Sequence, residues 1–80
     1  MMNVTVDIGN TIISFCMFKK NKLLKFIKIP KEKFDLEALK VLKSKFFNDP
    51  NVKLLISSVV PSSEKILKAF LKDNSINSVS

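Results

Sequence analysis

An α/β fold is what the hydrophobic patterning of this chain predicts, and three observations carry the prediction. Its first 30 residues hold three strand-like runs separated by short polar turns. Two later stretches repeat their apolar residues at helical spacing. Between those stretches lies a near-continuous apolar run, Val52 to Val60, which suits a strand buried on both faces, often a parallel one.

Taken in order, Asn3 to Ile8 alternates around Val4, Val6 and Ile8, the period of a strand. Gly9-Asn10 supplies a tight turn, because both residue types tolerate positive φ. A second strand is expected from about Ile12 to Phe18, and Lys19-Lys20-Asn21 is a polar hairpin turn. The third strand runs from about Lys22 to Ile29 with Leu24, Phe26 and Ile29 inward, and Pro30 closes it. Asp35 is a helix N-cap with Glu37 in the first turn, where the helix dipole favours an acid. Leu36, Leu39, Leu42 and Phe46 then mark one face of a helix reaching about Phe47. Asn48-Asp49-Pro50-Asn51 is turn chemistry. Pro61-Ser62-Ser63-Glu64 starts a second helix, with Ile66, Leu67, Phe70 and Leu71 on one face to about Lys72. Residues Ile76 to Ser80 have the character of a further strand.

Composition narrows the functions available. Eighty residues make one small domain or part of a larger one, and 46% apolar content argues against a disordered chain. No apolar run approaches the roughly 18 residues of a membrane span, and the N-terminus shows no secretory signal. A soluble, cytoplasmic protein without a membrane partner is therefore expected. Cys16 is the only cysteine and histidine is absent, so an internal disulfide, a zinc site and His-assisted nucleophiles are not expected. Cys16 lies in an apolar run, where a buried structural cysteine is favoured over a reactive thiol.

The net charge of +7 comes from fourteen lysines and no arginine. Arginine's planar fork suits base and phosphate recognition, and exposed aromatics suit single strands. The lysines run from Lys19 to Lys72 and the seven phenylalanines fall mostly at positions expected to be buried. A solvated lysine surface is thus favoured over a nucleic-acid face, and no specific nucleic-acid partner is expected.

The chemistry concentrates in Asp7-Ile8-Gly9-Asn10-Thr11. Gly9 is the only glycine, and it stands between two strands, two residues after an aspartate. Phosphate binding in a strand-turn-strand needs close backbone approach, free amides, a hydroxyl and a carboxylate for a metal. Gly9, the turn amides, Thr11 and Asp7 provide these. An ordinary Gly-Asn hairpin turn is the alternative. Asp7 interrupts an apolar strand end, where a carboxylate is costly without a partner, and this favours the phosphate reading.

A meander of three strands that continues into crossover helices follows the ribonuclease-H-like plan, shared by actin-like ATPases and sugar kinases. The expected fold class is an incomplete half-domain of that plan, in the order β-β-β-α-β-α-(β). Asp7-Ile8-Gly9-Asn10-Thr11 is similar to the Asp-x-Gly-Asn-Thr phosphate motif of type III pantothenate kinases. Ile56-Ser57-Ser58-Val59-Val60-Pro61 resembles that family's Ile-Ser-Ser-Val-Val-Pro signature, in the right order and at about the right spacing.

The resemblance covers nearly all of this chain but only the first part of the family's protein. It implies that residues 1–80 are the amino-terminal part of the first nucleotide-binding domain, the remainder being absent. It further implies ATP-dependent phosphorylation of pantothenate, the first step of coenzyme A synthesis, with Mg2+ and a monovalent cation, potassium or ammonium. A homodimer is implied for the full-length enzyme. Asp7 would bind metal and phosphates, and Gly9, Asn10 and Thr11 would form the phosphate loop. Ser14 stands where some relatives carry a lysine and joins the candidate set, while Ile12 replaces a residue that is polar in many relatives. A structural role is favoured for Ser57 to Pro61. The family's Gly-x-Asp-Arg segment, whose aspartate is the proposed base, is missing, so no catalytic residue is expected here and the isolated chain is expected to be inactive. The alternatives are a non-catalytic relative, a basic binding module without kinase activity, and a remnant that barely folds.

Overall fold

The computed structural model describes residues 2–47, 52–76 and 78–79. Five strands form one sheet: β1 (Met2–Ile8), β2 (Ile12–Lys19), β3 (Lys22–Pro30), β4 (Lys53–Ser58) and β5 (Ser78–Val79), in the spatial order β3-β2-β1-β4-β5. β1, β2 and β3 are antiparallel neighbours, whereas β4 runs parallel to both β1 and β5. A 3₁₀ turn (Lys31–Lys33) and helix α1 (Leu36–Phe46) link β3 to β4, and helix α2 (Pro61–Asp73) follows β4. The element order is the expected one, and Ser78–Val79 supplies the further strand. The turn expected at Asn48-Asp49-Pro50-Asn51 lies outside the described residues.

Both helices cover one face of the sheet. Val4, Val6 and Ile8 on β1, Ile13, Phe15 and Met17 on β2, and Leu54 and Ile56 on β4 are buried in a single core. Leu39, Leu42 and Phe46 of α1 and Leu67, Phe70 and Leu71 of α2 close it from above. Phe15 is fully buried, with its ring centroid 5.8 Å from Phe46, 6.3 Å from Phe34 and 6.4 Å from Phe47. Phe47 in turn lies 6.4 Å from Phe70, so one aromatic chain ties the sheet to both helices.

The opposite face carries no helix among the described residues, and this corrects the expectation for residues 52–60. β4 alternates, with Leu54 and Ile56 buried and Leu55 51% exposed. Its apolar run suits burial on two faces, but only one is covered here. Cys16 shares the uncovered face, where it is half-buried opposite Thr5 and Phe26.

The inward face of β3 also differs from expectation. Lys20 and Asn21 both have positive φ, at 50° and 67°, as a two-residue hairpin turn requires. That turn pairs Lys19 with Lys22 and Phe18 with Leu23. Continued unchanged, it would place Leu24 and Phe26 opposite Met17 and Phe15, facing the core. A bulge between Met17 and Phe18 slips the register by one residue, so Met17 pairs with Lys25 and Phe15 with Ile27. Because side chains alternate, the slip exchanges the faces. Ile27 and Ile29 pack on the core, while Phe26 is left 52% exposed.

β3 is a sheet edge, and seven of the fourteen lysines fall within residues 19–33, along it and at its ends. The expectation of lysines scattered from Lys19 to Lys72 is thereby corrected, since half of them lie in this one segment. Lys22, Lys25, Lys28 and Pro30 on the strand itself discourage pairing with a foreign edge.

α1 begins as expected. The Asp35 carboxylate accepts the Ala38 backbone N–H at 2.9 Å, a cap that contributes about 1 kcal/mol. Leu36, however, is exposed. At 3.6 residues per turn it lies roughly a quarter turn from the centre of the Leu39, Leu42 and Phe46 stripe, outside the covered face. α2 opens with Pro61 at its first position, where the missing N–H is no loss. Glu64 is ion-paired to Lys68 at 2.8 Å, one turn on.

Two outcomes follow. Phe15→Ala should cost about 3–5 kcal/mol in chemical denaturation. A chain of this size has roughly 4–12 kcal/mol in total, so the variant should be largely unfolded at modest denaturant. The Lys68 ammonium holds the Glu64 carboxyl below the usual carboxylate range, first by a hydrogen bond and then by charge. A carboxyl with a lowered folded-state pKa stabilises above its unfolded value and loses that contribution as pH falls through the folded one. Lys68→Ala should therefore raise the Glu64 midpoint in an NMR pH titration, and an unmoved midpoint would show the pair to be inconsequential.

Candidate phosphate-binding site

β1 ends at Ile8, and its parallel neighbour β4 ends at Ser58, which pairs with Ile8. The Val59 N–H donates to the Ile8 carbonyl at 3.1 Å, fixing the corner into α2 against the end of β1. The carboxyl ends of parallel strands thus meet at one rim, where open α/β sheets bind ligands. Gly9, Asn10 and Thr11 form the loop at that rim.

The loop is closed by its own backbone. The Gly9 N–H donates to the Ile12 carbonyl at 3.0 Å, and the Lys31 N–H donates to the Thr11 carbonyl at 2.9 Å. Gly9 and Asn10 do not adopt positive φ, contrary to expectation. Glycine is favoured at position 9 for another reason: a Cβ there would lie 3.0 Å from the Ile12 carbonyl oxygen, which would have to give way slightly. What favours glycine here is crowding against the loop's own carbonyl and not a left-handed backbone. Asn10 and Thr11 are exposed, and with Pro30, Lys31 and Glu32 they line an open cleft of about 520 Å³.

Asp7 is exposed, which removes the argument that its burial demands a partner. Its importance comes from its position. Asp7 pairs with Ser14 on β2 and with Ser57 on β4, and Ser14 pairs with Lys28 on β3. Paired residues share a face, so Lys28, Ser14, Asp7 and Ser57 make one polar row across the uncovered side of the sheet. The next row inward is Phe26, Cys16, Thr5 and Leu55, which is mostly apolar. The polar row stands beside the loop that carries Gly9.

The structure therefore brings Asp7 and Ser14 together on one face and sets Gly9, Asn10 and Thr11 at its rim. Lys28, Lys31 and Ser57 are near the same rim but were not singled out from the sequence. Lys28 was hidden by the bulge, since an unbroken register would have set Ile27 opposite Ser14. Ser57 was legible only in part: Ser58, Val60 and Pro61 have the structural role expected, and Ser57 alone turns to the face of Asp7. The Ser58 hydroxyl accepts the Val60 N–H at 3.2 Å and shapes the corner.

Among the described residues no cluster of three or more metal-ligating side chains occurs. A lone exposed carboxylate flanked by hydroxyls still suits Mg2+, which keeps several waters and takes one or two carboxylates plus phosphate oxygens. It does not suit a metal held by protein alone. Among the described residues, no helix is long and apolar enough to cross a membrane.

Comparisons with known proteins bear on the fold and the family. A protein from Bacteroides thetaiotaomicron VPI-5482 with an actin-like ATPase fold and unknown function superposes with a TM-score of 0.68 at 14% identity. The superposition covers 99% of this chain and 32% of that one, so this chain spans about a third of the length of the structure it matches. At that identity the likeness establishes the fold, which is actin-like. No curated protein matches the chain. The family profile that does match describes type III pantothenate kinases and aligns with residues 3–79. With nearly every residue inside that alignment, the chain belongs to the type III pantothenate kinase family.

Proposed function

We propose that residues 1–80 are the amino-terminal part of the first nucleotide-binding domain of an enzyme that phosphorylates pantothenate with ATP. The observation that carries this reading is the loop of Gly9, Asn10 and Thr11 closed at the carboxyl ends of β1 and β4, with Asp7 exposed beside it. In this reading the Asn10 and Thr11 amides and the Thr11 hydroxyl hold the phosphates of ATP, the Gly9 N–H being engaged with the Ile12 carbonyl. Asp7 holds Mg2+, which supplies charge neutralisation when bound, and the Ser14 hydroxyl lies next to Asp7.

Phosphoryl transfer depends mostly on positioning and on neutralising charge, and this chain contributes positions. The Gly-x-Asp-Arg segment whose aspartate is the family's proposed base does not occur in this sequence, so in this reading that base belongs to other parts of the enzyme and the isolated chain binds without turnover. By family resemblance the complete enzyme is a cytoplasmic homodimer that uses potassium or ammonium. A rival reading, a basic binding module, draws on the seven lysines within residues 19–33. That surface would be indifferent to a single carboxylate on the opposite side of β2.

An amide-resolved NMR titration with ATP and magnesium discriminates the two. Saturable shifts centred on Gly9 to Thr11 are expected, with affinity falling at least about tenfold in Asp7→Ala or on chelation of magnesium. Shifts spread over the lysines, screened by salt and unchanged in Asp7→Ala, would sink the nucleotide reading. Gly9→Ala should push the Ile12 carbonyl aside, cost on the order of 1–3 kcal/mol of stability and disturb the loop amides first. Unaltered loop shifts in that variant would mean the steric limit is not what shapes the site.

A further inference from the structure

Lys28 is the strongest unassigned feature near the site. It is exposed on β3, at the outer end of the polar row that runs through Ser14 and Asp7 to Ser57. Asp7 and Lys28 are two strands apart, roughly 10 Å between backbones, and no ion pair joins them. The ion pairs among the described residues are Lys40–Glu37 and Lys68–Glu64, and neither involves Asp7 or Lys28. The Lys28 ammonium instead rests 5.4 Å from the centre of the exposed Phe26 ring, a weak contact in solvent that a stronger anion readily replaces. A carboxylate and an ammonium thus flank the position of Ser14 on one face, beside the loop in which Gly9 lies close under the Ile12 carbonyl.

We propose that Lys28 is a phosphate-binding residue, reaching across Ser14 to the phosphate chain whose metal is held at Asp7. This inference rests on the nucleotide reading and extends it to a strand that the site motif does not include. The separation suits the task. Opposite charges in contact would neutralise each other, whereas charges set apart by a hydroxyl leave space for a polyphosphate, metal at one end and ammonium at the other. Lysine acts here as a mobile point charge on a flexible stem, a role that does not require arginine's fork. The bulge between Met17 and Phe18 is what makes it possible, because only the slipped register puts position 28 on the face of Asp7.

The test moves the charge along its row. Affinity for magnesium-ATP and for adenosine would be measured by NMR titration at physiological ionic strength. The proteins compared are the unaltered chain, Lys28→Ser, the exchange Ser14→Lys with Lys28→Ser, and Lys20→Ser at the far hairpin turn. Lys28→Ser should weaken ATP about tenfold and leave adenosine unchanged, as loss of one charge-assisted contact predicts. The exchange should recover most of the lost affinity, and Lys20→Ser should bind like the unaltered chain. Equal affinity in Lys28→Ser and the unaltered chain would overturn this inference while leaving the nucleotide reading intact. Equal losses in Lys28→Ser and Lys20→Ser would reduce the effect to net charge and also overturn it. An unaltered chain that binds no ATP overturns both readings together.

Discussion

The packing of Phe15 against Phe34, Phe46 and Phe47 is the contact on which the remainder of this structure depends. It fixes which side of the sheet faces α1, and through Phe47 and Phe70 it brings α2 to the same side. In a strand that choice propagates to every second residue. Once Phe15 points inward, Ser14 and Cys16 must point outward, and through the ladder so must Asp7 and Thr5. The exposed carboxylate at the rim is therefore a consequence of aromatic packing on the other face.

The second determinant is a single extra residue. Without the slip between Met17 and Phe18, Phe26 would enter the core and Ile27 would stand beside Ser14. The rim would then carry an isoleucine where it now carries Lys28. The slip also explains how an edge strand with lysines on both faces remains attached: Ile27 and Ile29 anchor it, while Lys25 reaches the helix side and donates to the Lys45 carbonyl at 3.0 Å. Edge protection and charge placement at the rim thus share one irregularity.

The site itself is assembled from segments with different constraints. The loop between β1 and β2 is held by backbone hydrogen bonds from both ends, one to Ile12 and one from Lys31, so its shape depends little on side chains. The corner after β4 is built by Ser58, Val60 and Pro61, and its bond to Ile8 ties the second family signature to the first. The two motifs, about fifty residues apart in sequence, are neighbours because β1 and β4 are parallel and in register to their last residues. Parallel pairing of this kind needs a crossover, and α1 provides it.

The sequence by itself determined the element order, a hairpin turn at Lys19-Lys20-Asn21 that the structure narrows to Lys20 and Asn21, the Asp35 cap, and the place of the glycine loop after the first strand. Each of these is set by neighbours within a few positions: alternation, helical spacing, or a side chain reaching its own backbone. Local rules also produced the errors. Tolerance of positive φ was a sound reason for Gly9 to be a glycine, but the backbone there needs space next to the Ile12 carbonyl instead. A turn set the start of the third strand correctly and, by extension, its inward face wrongly. Only the tertiary structure decided that one sheet face is covered, that Leu36 and Leu55 lie in solvent, and that Lys28 shares a row with Asp7. Those outcomes depend on packing between strands and helices distant in sequence, where a shift of one residue exchanges inside for outside.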